Sequence, residues 1–303
     1  MMENRQMSPH AAQNLIADQL TPQHQQPAQA SGPELPDTIA RLGLLDDTTI
    51  ARILEFQQQH NLSFGNAARR LRLLSKPQLR YALGVHIGAI NETYPSRKIP
   101  DALFTIENPY SPISDGFRSV ANKVYGLIAE DQQKHFCFAS DKAVTQSVLV
   151  TLNLAATFAV AGERVLMIDA GDRPSMVWQA LNMSPRRNAS IIAAGSPVGA
   201  ATHNTIVNRL SLLAFGATSQ ENAKLFSKSV LAKTFAQCAP LYDRIFIHSS
   251  PRTPASYNES LWEATRNIIT IVRKDHSRAS ALAKLKRDVR AAHADIVGAI
   301  IVK

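Results

Sequence analysis

Cysteine is nearly absent from this chain, with only Cys137 and Cys238 in 303 residues. Two thiols make neither a disulfide framework nor a metal-ligand set. Cys137 lies inside an apolar run, where a thiol is ordinary core. No apolar run approaches the ~20 residues that a membrane-spanning helix needs. The first residues, MMENRQMSPHAAQNLIADQLTPQHQQPAQASGP, lack a basic start followed by an apolar core, so no secretory leader is expected and a cytoplasmic location is the default. Aromatic residues are few, and none interleave with the basic clusters RKDHSR and KLKRDVR. Stacking on single-stranded nucleic acid requires that interleaving, so the formal charge of +9 is not read as a nucleic-acid footprint.

What is present divides the chain by composition. Residues 1–33 are rich in Gln, His, Pro and Ala. They hold too little apolar surface to offset ordering entropy, and a disordered tail is expected. Residues 34–92 carry an internal echo: ARLGLLDDTTIARILEFQQQ and RRLRLLSKPQLRYALGVH share one plan. Each has a short apolar helix end, a turn with an N-cap (Asp46 or Asp47; Ser75) and a second helix, with Pro77 suited to its first turn. Ile50, Ile53 and Leu54, and then Leu79, Ala82 and Leu83, fall at helical spacing and are expected in the core of a small all-α module. Residues 93–110 hold three prolines and little periodicity, as a linker does.

From 111 to 303 short apolar runs alternate with helical stretches. The expected strands are Phe136–Ser140, Val165–Ala170, Leu210–Phe215, Arg244–Ser249, Ile268–Val272 and Val297–Val302. That alternation predicts a doubly wound, mostly parallel α/β sheet, whose ligands would bind beyond the carboxyl ends of the strands. The helix SRASALAKLKRDVRAAH places Leu282, Leu285 and Val289 on one face and Lys284, Lys286, Arg287 and Arg290 elsewhere, the pattern of an amphipathic helix laid on the sheet.

One stretch sets the functional question. HFCFAS, then SDKAVTQSVLVTLNLA from Ser140 to Ala155, then GERVLMIDA ending in a strand with Asp169, is the layout of a nucleotide-binding βαβ unit. Yet the loop has no glycine and no Gly-Lys-Ser/Thr. A phosphate-binding loop needs glycines because its amides turn toward phosphate in conformations that a β-carbon disfavours. Left-handed geometry costs a non-glycine residue about 1–2 kcal/mol.

Four ordered segments over 111–303 resemble the bacterial tyrosine kinases of capsule and exopolysaccharide synthesis, which are similar to the MinD/ParA-type deviant P-loop ATPases. The segments are SPISDGFRSVANKVYGLI, NLAATFAVAGERVLMIDAGDRPSMVWQALNM, YDRIFIHSSPRTPASYNESLW and IITIVRKDHSRASALAKLKRDVRAAHADIVGAIIV. The module at 34–92 resembles the N-terminal domain of type II secretion ATPases, which also heads the EpsG-type chain-length-determinant kinases. Some relatives of that domain bind cyclic di-GMP through Arg-Leu-Gly-type motifs. Here the matching positions read Glu34-Leu35-Pro36 and Ser63-Phe64-Gly65, without the arginines that would supply bidentate donors.

The resemblance assigns roles, and this chain departs from most of them. The lysine that grips the β/γ-phosphates is replaced by Gln146 or Ser147; losing a buried charge partner costs roughly 2–5 kcal/mol. Lys142 has two readings, the signature lysine of the deviant group or a solvated loop lysine. Ser147 also has two, the magnesium-binding hydroxyl or an N-cap. In the family's Asp-x-Asp, Asp169 fits the first acid and Gly171 stands in the second place, with Asp172 one step later beside Arg173. The Walker B aspartate is lost to His248, and a neutral imidazole is a poor ligand for magnesium. The adenine-side asparagine is replaced by Val302-Lys303. In the ring-forming Glu-x-x-Arg-x-x-Arg pattern, Asp115 and Arg118 fit and Ala121 replaces the last arginine. The last tyrosine is Tyr257, so the family's C-terminal tyrosine cluster has no counterpart.

The resulting expectation is a catalytically inactive relative, with no catalytic residue, metal or cofactor, and with Lys142, Ser147, Asp169 and Asp172 as remnants of a site. It would act in the cytoplasm, held at the inner membrane through a partner, as a regulator or scaffold of exopolysaccharide biosynthesis. Expected partners are a membrane chain-length or polymerase complex or an active kinase paralogue, with homo-oligomers through Asp115 and Arg118. The alternative is an active or nucleotide-sensing kinase or ATPase using ATP and magnesium.

Overall fold

The structure, a computed structural model, describes residues 34–94, 97–131, 134–141, 145–171, 176–183, 189–215, 224–251 and 253–302. The tail at 1–33, Lys142 and Asp172 lie outside the described residues.

Four helices open it: α1 (Leu35–Arg41), α2 (Asp47–His60), α3 (Phe64–Arg70) and α4 (Lys76–His86). Of the two candidates, Asp46 caps α2, its carboxylate accepting from Thr49 N at 2.7 Å. Ser63 and Ser75 cap the next two helices, and Ser75 and Gln78 complete a reciprocal capping box. Such caps each contribute about 0.5–2 kcal/mol by occupying amide donors that a helix start leaves bare. Ile50 and Ile53 are buried, whereas Leu54 and Leu83 are exposed, contrary to the core expected from spacing. Successive helical residues diverge by about 100°. On α4 the inward face runs through Tyr81, Ala82, Gly84 and Val85, which turns Leu83 outward.

The stretch expected to be a linker is packed. Ile99 and Leu103 are buried, and a short helix, α5 (Phe104–Glu107), leads to α6 (Pro112–Asp131). Arg80 of α4 pairs with Glu107 and donates to Asn108 Oδ1. Residues 35–303 pack as one compact unit.

The rest builds the sheet in chain order: β1 (His135–Ser140), α7 (Thr145–Val160), β2 (Val165–Asp169), α8 (Met176–Ala180), α9 (Ser190–Ala193), β3 (His203–Asn204), β4 (Leu210–Ala214), α10 (Lys228–Cys238), β5 (Arg244–His248), α11 (Ala255–Thr265), β6 (Asn267–Arg273), α12 (Ala279–Ala291) and β7 (Asp295–Val302). The sheet order is β3-β4-β2-β5-β1-β6-β7, parallel except for β3, which pairs antiparallel with β4. All six expected strands are present; the two-residue β3 had too short a pattern to read.

Strand alternation sorts side chains into two cores. Phe136, Phe138, Val165, Met167 and Phe246 face one layer, with α7 and the opening helices. Cys137, Leu166, Ile168, Ile245 and Ile247 face the other, with α10, α11 and α12. Burial on both faces explains the near-continuous apolar strands. Edge-on contacts of Phe246 with Phe136, Phe138 and Phe158 lock the first core. Cys137 is fully buried, and burial pushes its thiol up to about 12, as a core thiol requires.

α7 is apolar nearly all round, so it is buried rather than amphipathic. Its asparagine, Asn153, is fully buried and fully used. Asn153 Nδ2 donates to Ala102 O at 2.7 Å and to Leu149 O at 2.9 Å. Its Oδ1 accepts from Thr105 N at 3.1 Å and from the Thr105 hydroxyl at 3.0 Å. Asn153 therefore ties the 102–105 stretch to the helix that covers the sheet.

Candidate functional site

The carboxyl ends of β1, β2 and β5 converge under the first turn of α7. β2 and β5 pair in parallel with Asp169 opposite His248, and β5 pairs with β1 with His248 opposite Phe138. Residues in register share a face, so Asp169 and His248 both turn toward α7. Ser147 is the third residue of α7, which begins at Thr145. It stands inside the helix, not at its N-cap, and its side chain reaches down to the strands.

These three residues meet. Ser147 Oγ lies 3.0 Å from His248 Nε2. His248 Nδ1 lies 3.5 Å from Asp169 Oδ1. The latter exceeds hydrogen-bond length, and Nδ1 is a buried atom with no hydrogen-bond partner, so the carboxylate acts on it as a nearby charge. That charge favours a proton on Nδ1, which leaves Nε2 to accept from the Ser147 hydroxyl. Asp169 Oδ1 also accepts from Gly171 N at 3.2 Å. The backbone is knitted at the same level: Ala170 N donates to His248 O at 3.0 Å and Ser249 N to Phe138 O at 3.0 Å.

A serine, an imidazole and a carboxylate in that order are the parts of a nucleophile, its base and its orienting acid. Here burial decides what they can do. Ser147 is 2 % exposed and Asp169 and His248 4 % each, so no substrate carbonyl reaches the serine oxygen. The arrangement is a closed polar link between helix and sheet.

As a place for magnesium and nucleotide phosphate, the described donors are poor. They comprise one carboxylate, one hydroxyl already engaged by His248, and an imidazole where a second oxygen ligand would serve. Among the described residues no three His, Cys, Asp or Glu side chains gather as a metal set. A cavity of about 770 Å³ lies elsewhere, between α4, α6 and α7, with Leu83, Ile87, Ala121 and Val160 in its lining. Asp115 and Arg118 form an ion pair on α6, so the two retained residues of the ring-forming pattern bind one another, and Arg118 also donates to Pro109 O at 2.7 Å. The remnants thus divide. Ser147 and Asp169 come together through His248, while Lys142 and Asp172 lie outside the described residues.

The sequence marks His248 as standing in the place of a lost acid, and a lone histidine at a strand end is ordinarily a satisfied structural residue, but its partners are not legible there. The signal was available: Asp169 and His248 end two of the expected strands, and both would face α7 if those strands were neighbours. Strand order, which the sequence does not state, was the missing fact.

No protein-family model matches the chain. It is 23% identical over 202 residues to a protein of Staphylococcus aureus named as a tyrosine-protein kinase, CapB, covering 66% of this chain and 89% of that one. Solved structures share the fold, three of them as follows. The chimerical protein CapA2B2 superposes with a TM-score of 0.60 at 20% identity, over 66% of this chain and 88% of that chain. The BceF tyrosine kinase domain gives 0.58 at 18%, over 66% and 81%. The kinase domain of the Escherichia coli tyrosine kinase ETK gives 0.60 at 16%, over 66% and 78%. The resemblance to bacterial tyrosine kinases holds in sequence and in fold. No helix among the described residues is long and apolar enough to cross a membrane.

Proposed function

We propose that this chain is a catalytically silent relative of the bacterial tyrosine kinases, acting as a cytoplasmic regulator or scaffold of exopolysaccharide polymerisation or export. The observation that carries the reading is the buried Ser147–His248–Asp169 link. Phosphoryl transfer depends on positioned phosphates and metal. Here the hydroxyl that would meet the metal binds an imidazole, and that imidazole stands where the resemblance expects the Walker B aspartate. The protein has replaced a bound cation with a side chain of its own, which holds α7 to the strand ends with no ligand. A relative that keeps the fold and loses the chemistry retains its surfaces. Those surfaces would serve a membrane chain-length or polymerase complex, or an active kinase paralogue, with the chain peripheral to the inner membrane through that partner.

Calorimetric titration with magnesium-ATP and with ADP, beside a phosphate-release assay, tests this. The expected result is no saturable heat at millimolar ligand and no release above buffer. Micromolar binding would overturn the closed-site reading. Turnover lost in Asp169→Ala would establish the alternative, an active ATPase or kinase.

A further inference from the structure

The two edges of the sheet are built differently. At one edge stands β3, only two residues long. The segment following it is covered: Ile90 bridges Val207, Asn91 N donates to Ile206 O at 2.8 Å, and Asn208 Nδ2 donates to Gly88 O and Ile90 O at 2.7 and 3.0 Å. At the other edge stands β7, eight residues reading DIVGAIIV. It pairs with β6 from Asp295 to Val302, with one register shift that leaves Val297 as a bulge near the Asp295 end and the run Gly298–Val302 regular. Among the described residues no strand pairs with its outer side. Short strands, prolines and lysines normally blunt such edges. β7 has no proline and no lysine, and its single charge is Asp295 at one end. Ile301 is 70% exposed, Ala299 is exposed, and a β-carbon added at Gly298 would meet open space.

We infer that the outer edge of β7 is the interface of a homodimer, in which two copies join β7 to β7 antiparallel across a two-fold axis. A row of free backbone donors and acceptors is matched only by another strand, and a second copy offers the same row under isologous symmetry. Charge selects the direction. Lys274 is exposed and its N donates to Val302 O at 2.8 Å, so a cation stands beside the end of β7 opposite Asp295. Antiparallel pairing brings each Asp295 to the Lys274 end of the other copy, whereas parallel pairing brings aspartate to aspartate. A two-fold axis normal to the sheet keeps each face on its own side, so the residue on the axis opposes its own copy. With Ala299 there, Gly298 meets Ile300 of the other copy, and the exposed Ile301 lies on the same face as Ala299. Opposed apolar pairs are the unit of sheet stabilisation. The charged groups that oppose it are on α12: Lys286, Arg287 and Arg290 are exposed, while Lys284 is paired with Asp288. Two such helices repel across the axis, which keeps the dimer reversible. This surface is separate from the strand ends and its use does not depend on whether nucleotide binds.

Sedimentation velocity of the full chain over a wide concentration range, without nucleotide, tests the inference. The expected result is a monomer–dimer equilibrium. Ile301→Lys should weaken it by about tenfold or more, since each copy then sets a lysine against the apolar outer side of the other strand. Ile87→Lys, at an exposed isoleucine away from the sheet edge, should leave it unchanged. Asp295→Lys should weaken it, and Asp295→Lys with Lys274→Asp should restore it. Circular dichroism identifies any variant that fails to fold, and the charge exchange reads the same surface without touching an apolar residue. A monomer at every concentration, or a dimer indifferent to Ile301→Lys, overturns the interface. A dimer weakened by Ile301→Lys but indifferent to the charge exchange overturns the antiparallel pairing.

Discussion

At the carboxyl ends of β2 and β5, polar side chains are buried and turned on one another. Along the outer side of β7, backbone groups face outward among exposed apolar side chains. Open α/β sheets normally show the reverse, with ligands taken beyond the strand ends and edges covered or blunted. Where this fold usually takes its ligands, the described polar side chains are turned on one another, and along the outer side of β7 no strand pairs among the described residues. The difference makes the two regions respond differently to substitution.

The largest expected effect comes from undoing the closure. His248→Asp restores the acid found in the kinases but sets a second carboxylate beside buried Asp169 with no cation between them. A buried charge left uncompensated costs about 3–5 kcal/mol. Urea unfolding should therefore show an unfolding free energy lowered by that amount, with the midpoint falling in proportion, unchanged by added magnesium. If magnesium instead restored the midpoint, the site would be a metal centre one substitution from use, and the contrast with β7 would collapse.

A smaller effect separates two roles on the same helix. Asn153→Ala strips four hydrogen bonds and leaves buried groups of the 102–105 stretch unpaired, at about 1–3 kcal/mol for each group left without a partner. Ser147→Ala removes one bond to His248, worth about 1 kcal/mol. Equilibrium unfolding should rank Asn153→Ala well below Ser147→Ala in stability. The opposite ranking would mean that the strand-end link, and not the clamp on 102–105, is what holds α7 in place.

The sequence was a good guide to repeating patterns and a poor one to what lies far apart in the chain. Six strands were legible because burial on both faces leaves runs of Val, Ile, Leu and Phe that no loop would carry. Helix starts were legible because a cap is a local event: Asp46 and Ser75 sit one residue before their helices. The inward faces of α2 and α4 were read less well. Leu54 and Leu83 satisfy the helical period but lie outside the arc that neighbours cover, and the width of that arc is a tertiary fact. Gly84 shows the same limit. A β-carbon there would meet Ile90 Cδ1 at 2.5 Å, a close approach that spacing alone does not announce. In the candidate site, Ser147, Asp169 and His248 were all singled out, yet their meeting depends on β5 lying beside β2. That pairing joins residues about eighty positions apart.

The smallest expected effect concerns the other end of the same two strands, and it sharpens the contrast between buried and screened polar groups. Arg164, just before β2, donates to Asp243, just before β5: Nη2 to Oδ1 at 2.7 Å, and backbone N to Oδ2 at 2.8 Å. These hydrogen bonds hold the Asp243 carboxyl down at about 2. A carboxylate whose folded value lies below its ordinary value of about 4 adds stability above that ordinary value and loses it as pH falls toward the folded one. The contribution should therefore be complete at neutral pH and fade between about pH 4 and pH 2. Both side chains are more than a third exposed, so water and salt screen the pair and its worth stays under about 1 kcal/mol. Stability measured against pH should lose a small acid-side slope in Arg164→Gln, and the remaining difference at neutral pH should shrink in high salt. His248→Asp should show no such relief from salt, because its charges are buried with almost no exposure to solvent. If both variants answered salt alike, the strand-end site would be open to water, and the closed link between Ser147, His248 and Asp169 would lose its physical basis.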